Sequence, residues 1–129
     1  MFQSKIARKR QDDIFKAFEG YIQKQDFFDI IFSKKFGYVC LFKDGGRIAG
    51  TALIDTPEKM LDTLFNDVVT NIIGTNETGG SKRLTESERA QAHRLLVGIL
   101  ETIEDEKEFY IRYLNTFFAS CADGSPLEP

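Results

Sequence analysis

Residues 38–54 read YVCLFKDGGRIAGTALI, and this stretch decides the fold. Two runs rich in apolar, aromatic and β-branched residues, 38–43 and 47–54, flank the turn residues Asp44, Gly45 and Gly46. Such runs favour β-strands, and paired glycines accept the positive φ that a tight hairpin requires. The stretch therefore predicts two antiparallel strands, and Gly50 predicts a bulge or a close backbone approach in the second strand.

A third strand is predicted just before this hairpin. Residues 27–32 form another aromatic and β-branched run, and Gly37 supplies a turn between it and the next strand. The whole region is thus predicted to be a three-stranded antiparallel meander. Val39 and Leu41 alternate with Cys40 and Phe42, so neither face of the sheet is polar. We expect helices on both faces, or burial of one face in a dimer.

An amphipathic helix is predicted upstream, from about residue 11 to residue 24, because Ile14, Phe18 and Ile22 recur at helical spacing. Its start is open to two interpretations. Residues 1–10 form a flexible basic arm, or the helix begins earlier and tolerates cations at its positive end. These cations are Lys5, Arg8, Lys9 and Arg10.

A second helix is predicted to begin at Thr56-Pro57-Glu58, a threonine cap followed by proline in the first turn. It is predicted to end near Ile73, followed by an internal loop over residues 74–84. Its apolar residues cover an arc of about 220°, which is wider than one packing contact needs. The helix is therefore expected to be sandwiched in the domain or shared with a second subunit. The candidate interface residues are Leu61, Leu64, Phe65, Val68 and Ile72.

The last third of the chain is predicted to be helical. Thr85 and Glu88 form a capping box at the start of this region. The apolar stripe that follows favours two helices that bend near Glu104 and Asp105 over the alternative of one continuous helix of roughly 36 residues. Residues 122–129 are predicted to form a flexible tail. The predicted fold is α+β: an N-terminal helix, a three-stranded antiparallel meander, then three helices packing on the sheet, all within one domain of residues 1–129.

Composition excludes several classes of protein. The net charge of −3 argues against a protein whose whole surface attracts nucleic acid or anionic lipid. The spacing of the two cysteines is neither that of a metal-binding pair nor that of a CxxC redox motif. Cys40 is expected to be a small buried side chain. Neither a signal peptide nor a run of ~18 apolar residues is visible. We therefore expect a soluble, cytoplasmic protein that does not enter a membrane.

Catalytic patterns are weak. His93, the sole histidine, accompanies no nucleophile motif, so a partly exposed helical position is expected. Glu101, Glu104 and Glu108 lack metal-ligand spacing and predict a solvated acidic face. Residues 79–83 carry glycines and cations but lack phosphate-loop spacing and follow a helix. No catalytic residue, metal or cofactor is predicted.

Three functions are compatible with these patterns. The leading prediction is a noncatalytic protein-interaction or regulatory module that acts as a homo-oligomer, expected to be a homodimer, or that binds a protein partner. The second is a nucleic-acid-associated protein in which Lys5, Arg8, Lys9 and Arg10 contact phosphates. The third is a small-molecule-binding protein or enzyme with an apolar pocket between sheet and helices.

Overall fold

A computed structural model describes residues 4–76 and 84–120 of the chain. The elements follow in the order α1 (Lys5–Gln23), β1 (Phe28–Ser33), β2 (Gly37–Asp44), β3 (Arg47–Ile54), α2 (Pro57–Asn76), α3 (Glu86–Leu100) and α4 (Lys107–Ala119). This order confirms the α+β prediction. The chain divides into two compact units, the sheet unit Met1–Leu61 and the helical unit Asp62–Pro129. The single-domain organisation stays a prediction.

The three strands form an antiparallel sheet in the order β1-β2-β3, as the sequence predicts. Gly37, Gly45 and Gly46 adopt positive φ values of 78°, 60° and 84° in the two turns. The register between β2 and β3 shifts between Phe42 and Lys43. Phe42 pairs with Gly50 and Lys43 pairs with Ile48, so the extra residue of the bulge stands next to the glycine.

Helix α1 begins at Lys5, so the second interpretation of its start holds and the basic residues are helical. Ser4 caps the helix, because its side chain accepts a hydrogen bond from the Ala7 backbone N–H. Ile14, Phe18 and Ile22 are buried, and α1 packs on the sheet. Their burial places the core of the sheet unit between this helix and one sheet face.

Helix α2 begins at Pro57, as predicted, and the Thr56 hydroxyl accepts a hydrogen bond from the Lys59 backbone N–H. The predicted end near Ile73 was wrong, because the helix continues through Gly74 to Asn76. A glycine inside a helix costs only about 1 kcal/mol relative to alanine, so it need not stop one. The prediction of a loop over residues 74–84 therefore placed the start of the loop too early. Residues 77–83 lie outside the described ranges.

Two separate helices, α3 and α4, occupy residues 86–119, which confirms the predicted bend. Both hydrogen bonds of the capping box between Thr85 and Glu88 are present. In the connector, Ile103 is buried and Glu106 has a left-handed φ of 63°. The Arg89 guanidinium donates to the carbonyl of Phe118 near the end of α4, which joins the two helices. Cys121 and the predicted tail over 122–129 lie outside the described residues.

Candidate interaction surfaces

The two faces of the sheet differ in what covers them. On one face, hereafter the closed face, Phe28, Ile30, Tyr38, Cys40 and Ile54 are all at most 5% exposed. The register places them side by side, since Ile30 pairs with Cys40 and Tyr38 pairs with Ile54. The buried position of Cys40 is the one that the sequence predicts.

Helix α1 packs on the closed face through polar as well as apolar contacts. The buried Gln11 side chain donates through Nε2 to the backbone carbonyl of Ile54 at 2.9 Å. Its Oε1 atom is buried and has no hydrogen-bond partner among the described residues. The ring of Phe15 lies 5.2 Å from the ring of Tyr38. These contacts link the helix, which packs on β1, to β2 and β3 as well.

The opposite face, hereafter the open face, carries apolar side chains that remain accessible. Ile31, Val39 and Leu53 form one row across the three strands, because Val39 pairs with both of the others. Ile31 is 42% exposed and Leu53 is 51% exposed. Leu41 is half-buried in the next row, and Ile48, opposite Lys43, is 61% exposed. The open face therefore presents a continuous apolar surface across the sheet.

The residues predicted as an interface on α2 are not accessible. All of them are 7% exposed or less: Leu61, Leu64, Phe65, Val68 and Ile72. Within the helical unit, the ring of Phe65 lies 5.3 Å from the ring of Phe117, and the Tyr113 hydroxyl donates to Asp62. The wide apolar arc of α2 is thus buried within the chain, and these side chains present no surface to a partner in this structure.

The cations predicted as phosphate contacts lie in the first two turns of α1. Arg8 Nε lies 3.7 Å from Asp12, and Lys9 Nζ donates to Asp13 at 2.8 Å. These i,i+4 ion pairs offset the unfavourable position of cations at a positive helix end. Lys5 is exposed, whereas Arg10 is half-buried. The four cations therefore belong to an ordered helix and not to an extended arm.

Arg8 also links α1 to the sheet. Its guanidinium lies 4.5 Å from the centroid of the Phe32 ring, and Phe32 packs against Tyr38 with ring centroids 5.2 Å apart. The Tyr38 hydroxyl donates to Asp12 at 2.7 Å. Burial, then the bond to Asp12, raises the pKa of Tyr38 well above its ordinary value. These four side chains form one contact network that joins the start of α1 to β1 and β2.

The turn between β1 and β2 carries two further cations, which follow β1 in the chain. Lys34 and Lys35 are exposed, and Phe36 is 67% exposed. The Ser33 hydroxyl accepts hydrogen bonds from the backbone N–H groups of Lys35 and Phe36, each at 3.2 Å, which holds the turn in place. The turn begins two residues after Phe32, whose ring lies under the Arg8 guanidinium, so the turn lysines follow this contact directly along the chain.

The residues considered for catalysis belong to the helical unit. His93 is partly exposed on α3, as predicted, with Nε2 3.0 Å from Asn115 Oδ1. It lines a shallow depression with Arg89 and Phe118. Among the described residues, no group of three or more His, Cys, Asp or Glu side chains could hold a metal ion. Residues 79–83 lie outside the described ranges, and the predicted small-molecule pocket stays a prediction.

Charge is unevenly divided between the two units. Residues 1–61 contain 11 lysines and arginines against 8 acids, a net charge of +3. Residues 62–129 contain 6 against 12, a net charge of −6. The overall charge of −3 therefore conceals a basic sheet unit. Net charge of one sign on one part of a chain favours encounter with ligands of the other sign.

Comparison with known proteins finds no family model, no curated protein and no solved structure that this chain matches. Within the described ranges, none of the helices combines the length and apolar character needed to cross a membrane.

Proposed function

We propose that this protein is a noncatalytic interaction module that self-associates through the open face of its sheet. The observation that carries the proposal is the apolar row Ile31, Val39 and Leu53, accessible across all three strands. Exposed apolar surface is unfavourable in water, and its burial is the main source of association free energy. A contiguous accessible apolar patch is a common kind of protein contact site.

A second copy of the chain is the partner that the open face suits. Its few charges are of opposite sign, with Asp29 on the edge strand β1 and Lys43 on the central strand β2. In a two-fold interface, a surface patch of one copy contacts the same patch of the other copy. Oppositely charged residues can therefore pair across the interface only if both are present on that patch. Asp29 of one copy can then meet Lys43 of the other, while the apolar rows contact each other.

The size of the open face sets the expected strength of the dimer. Strand spacing of ~4.8 Å and a rise of ~3.4 Å per residue give a projected area of roughly 300 Å² for its three strands. Stable interfaces bury about 800 Å² from each partner, so the open face can form only the centre of one. We therefore expect a reversible dimer with a dissociation constant in the micromolar range.

Sedimentation velocity over a wide concentration range tests this proposal. We expect the wild type to pass from monomer to dimer as its concentration rises. Leu53→Glu should remain monomeric, because a carboxylate buried without a partner costs about 3–5 kcal/mol, which weakens association at least ~100-fold.

Leu95→Glu provides the matched control. Leu95 is 43% exposed on α3, in the helical unit, and is not a residue of the open face, so this variant should dimerise like the wild type. Circular dichroism of each variant would show that it is folded. A wild type that stays monomeric at every concentration would contradict the proposal, as would equal loss of dimer in both variants.

A further inference from the structure

We infer that the end of the sheet unit where Arg8 of α1 contacts Phe32, next to the β1–β2 turn, is a binding site for single-stranded nucleic acid. The site, hereafter the turn patch, consists of Lys5, Arg8, Phe32, Lys34, Lys35 and Phe36. It combines cations with accessible aromatic rings, the two components by which proteins hold single strands. The inference does not depend on self-association, because the turn patch does not include any residue of the open face.

Arg8 and Phe32 form the ordered centre of the turn patch. The guanidinium lies over the ring at 4.5 Å, and Phe32 nevertheless remains 47% exposed. Tyr38 supports the ring from the closed face, and its hydroxyl bond to Asp12 holds α1 in register with the sheet. Both side chains are therefore held in position before any ligand binds, which lowers the entropy cost of binding.

The turn residues supply further cations and a second ring. Within the described ranges, no hydrogen bond or ion pair engages the side chains of Lys5, Lys34 or Lys35. Their charges are thus available to a ligand. Phe36, at 67% exposed, presents most of its ring to solvent at the tip of a turn whose backbone Ser33 holds. Among the cations of the turn patch, Arg8 is paired with a carboxylate, that of Asp12.

Single-stranded nucleic acid matches this combination better than other polyanions. Its phosphates accept contacts from lysine and arginine, and its unpaired bases stack on phenylalanine rings at about 1–3 kcal/mol each. A duplex keeps its bases stacked internally and so gains nothing from Phe32 and Phe36. The basic charge of the sheet unit, +3 against −6 for the helical unit, directs a polyanion to this part of the chain.

Fluorescence anisotropy with a labelled oligothymidylate of about 12 nucleotides tests the inference, since site sizes of ~4–16 nucleotides are usual for small single-strand-binding modules. We expect binding at low salt that weakens steeply as salt rises. Substituting both turn lysines, Lys34→Gln with Lys35→Gln, should reduce the slope of log affinity against log salt by about 1.4, because each phosphate contact contributes ~0.7 on single strands.

The matched charge control is Lys16→Gln with Lys24→Gln, which removes one exposed cation from α1 and another from its C-cap, both outside the turn patch. This variant should keep the wild-type slope. For the rings, Phe36→Ala should weaken binding about 5- to 100-fold. Phe27→Ala, at a residue 71% exposed that immediately precedes β1, should leave binding unchanged.

Three results would overturn the inference. The first is an absence of oligonucleotide binding at low salt. The second is equal loss of affinity in the turn-lysine variant and its charge control, which would indicate attraction by net charge alone. The third is binding to vesicles of anionic phospholipid or to duplex DNA that matches binding to the single strand, because the exposed rings would then have another role or none.

Discussion

Adjacent residues of β1 face opposite surroundings. Ile30 points to the closed face and is 2% exposed, whereas Ile31 points to the open face and is 42% exposed. Both belong to the same apolar run, and the side chains of a strand alternate between its faces. A sheet that is apolar on both sides but covered on only one has apolar surface available for contact. The residues that stabilise the fold thus lie on the closed face, and the residues that are accessible to a partner lie on the open face.

The largest expected difference is in stability. Ile30→Ala should lower the free energy of unfolding by about 2–5 kcal/mol, because it removes buried methyl groups and leaves a cavity. Ile31→Ala should change it by less than about 1 kcal/mol in the monomer, since the side chain is already half in water. Urea unfolding at a concentration below dimer formation measures both. Equal losses would show that the open face is covered within the chain.

A pH-dependent effect is expected at the polar contact of the closed face. Gln11→Glu places an acid in a buried position next to the Ile54 carbonyl, so burial should raise the pKa of the new carboxyl in the folded state. Below the unfolded pKa of ~4.3 the neutral acid can donate to that carbonyl, and stability should be close to that of the wild type. As the pH rises to 7, the variant should lose about 2–4 kcal/mol.

Denaturant unfolding at several pH values measures this loss. Gln91→Glu makes the same change at an exposed position of α3, and it should show no comparable pH dependence. If the two variants behaved alike, Gln11 would not be buried as described.

A smaller effect is expected at Tyr38. Tyr38→Phe removes the bond to Asp12 and should cost about 1 kcal/mol at neutral pH. Because the folded state raises the pKa of Tyr38, the unfolded chain loses this proton first, and wild-type stability should fall as the pH rises above ~10. The difference between wild type and variant should then shrink. A constant difference between pH 7 and pH 11 would argue against the raised pKa.

The fold could be predicted largely from local signals. The turns follow from glycines that adopt positive φ, and the start of α3 follows from the reciprocal bonds of Thr85 and Glu88. The ends of elements depend on more distant contacts. Gly74 lowers helix propensity, yet α2 continues past it, and α1 extends back to Lys5 because ion pairs and the Ser4 cap offset its poorly placed cations.

The candidate surfaces were much harder to predict. The width of the apolar arc on α2 indicates burial on several sides, but the sequence does not say whether the neighbours belong to the same chain. Here they include Tyr113 and Phe117 of the helical unit. The contact between Arg8 and Phe32 joins residues 24 positions apart and has no linear pattern. The apolar character of both sheet faces was visible, but not which face α1 would cover.

The most direct test of the account is methyl NMR of the wild type during dilution from about 1 mM to about 10 μM, a range that spans a micromolar dissociation constant. If the open face is the interface, the methyl signals of Ile31, Val39 and Leu53 should shift with concentration. Those of Ile30 and the exposed Leu95 should remain in place. Shifts confined to Leu95, or no shifts while the mass changes, would contradict the central claim that the open face is where two copies meet.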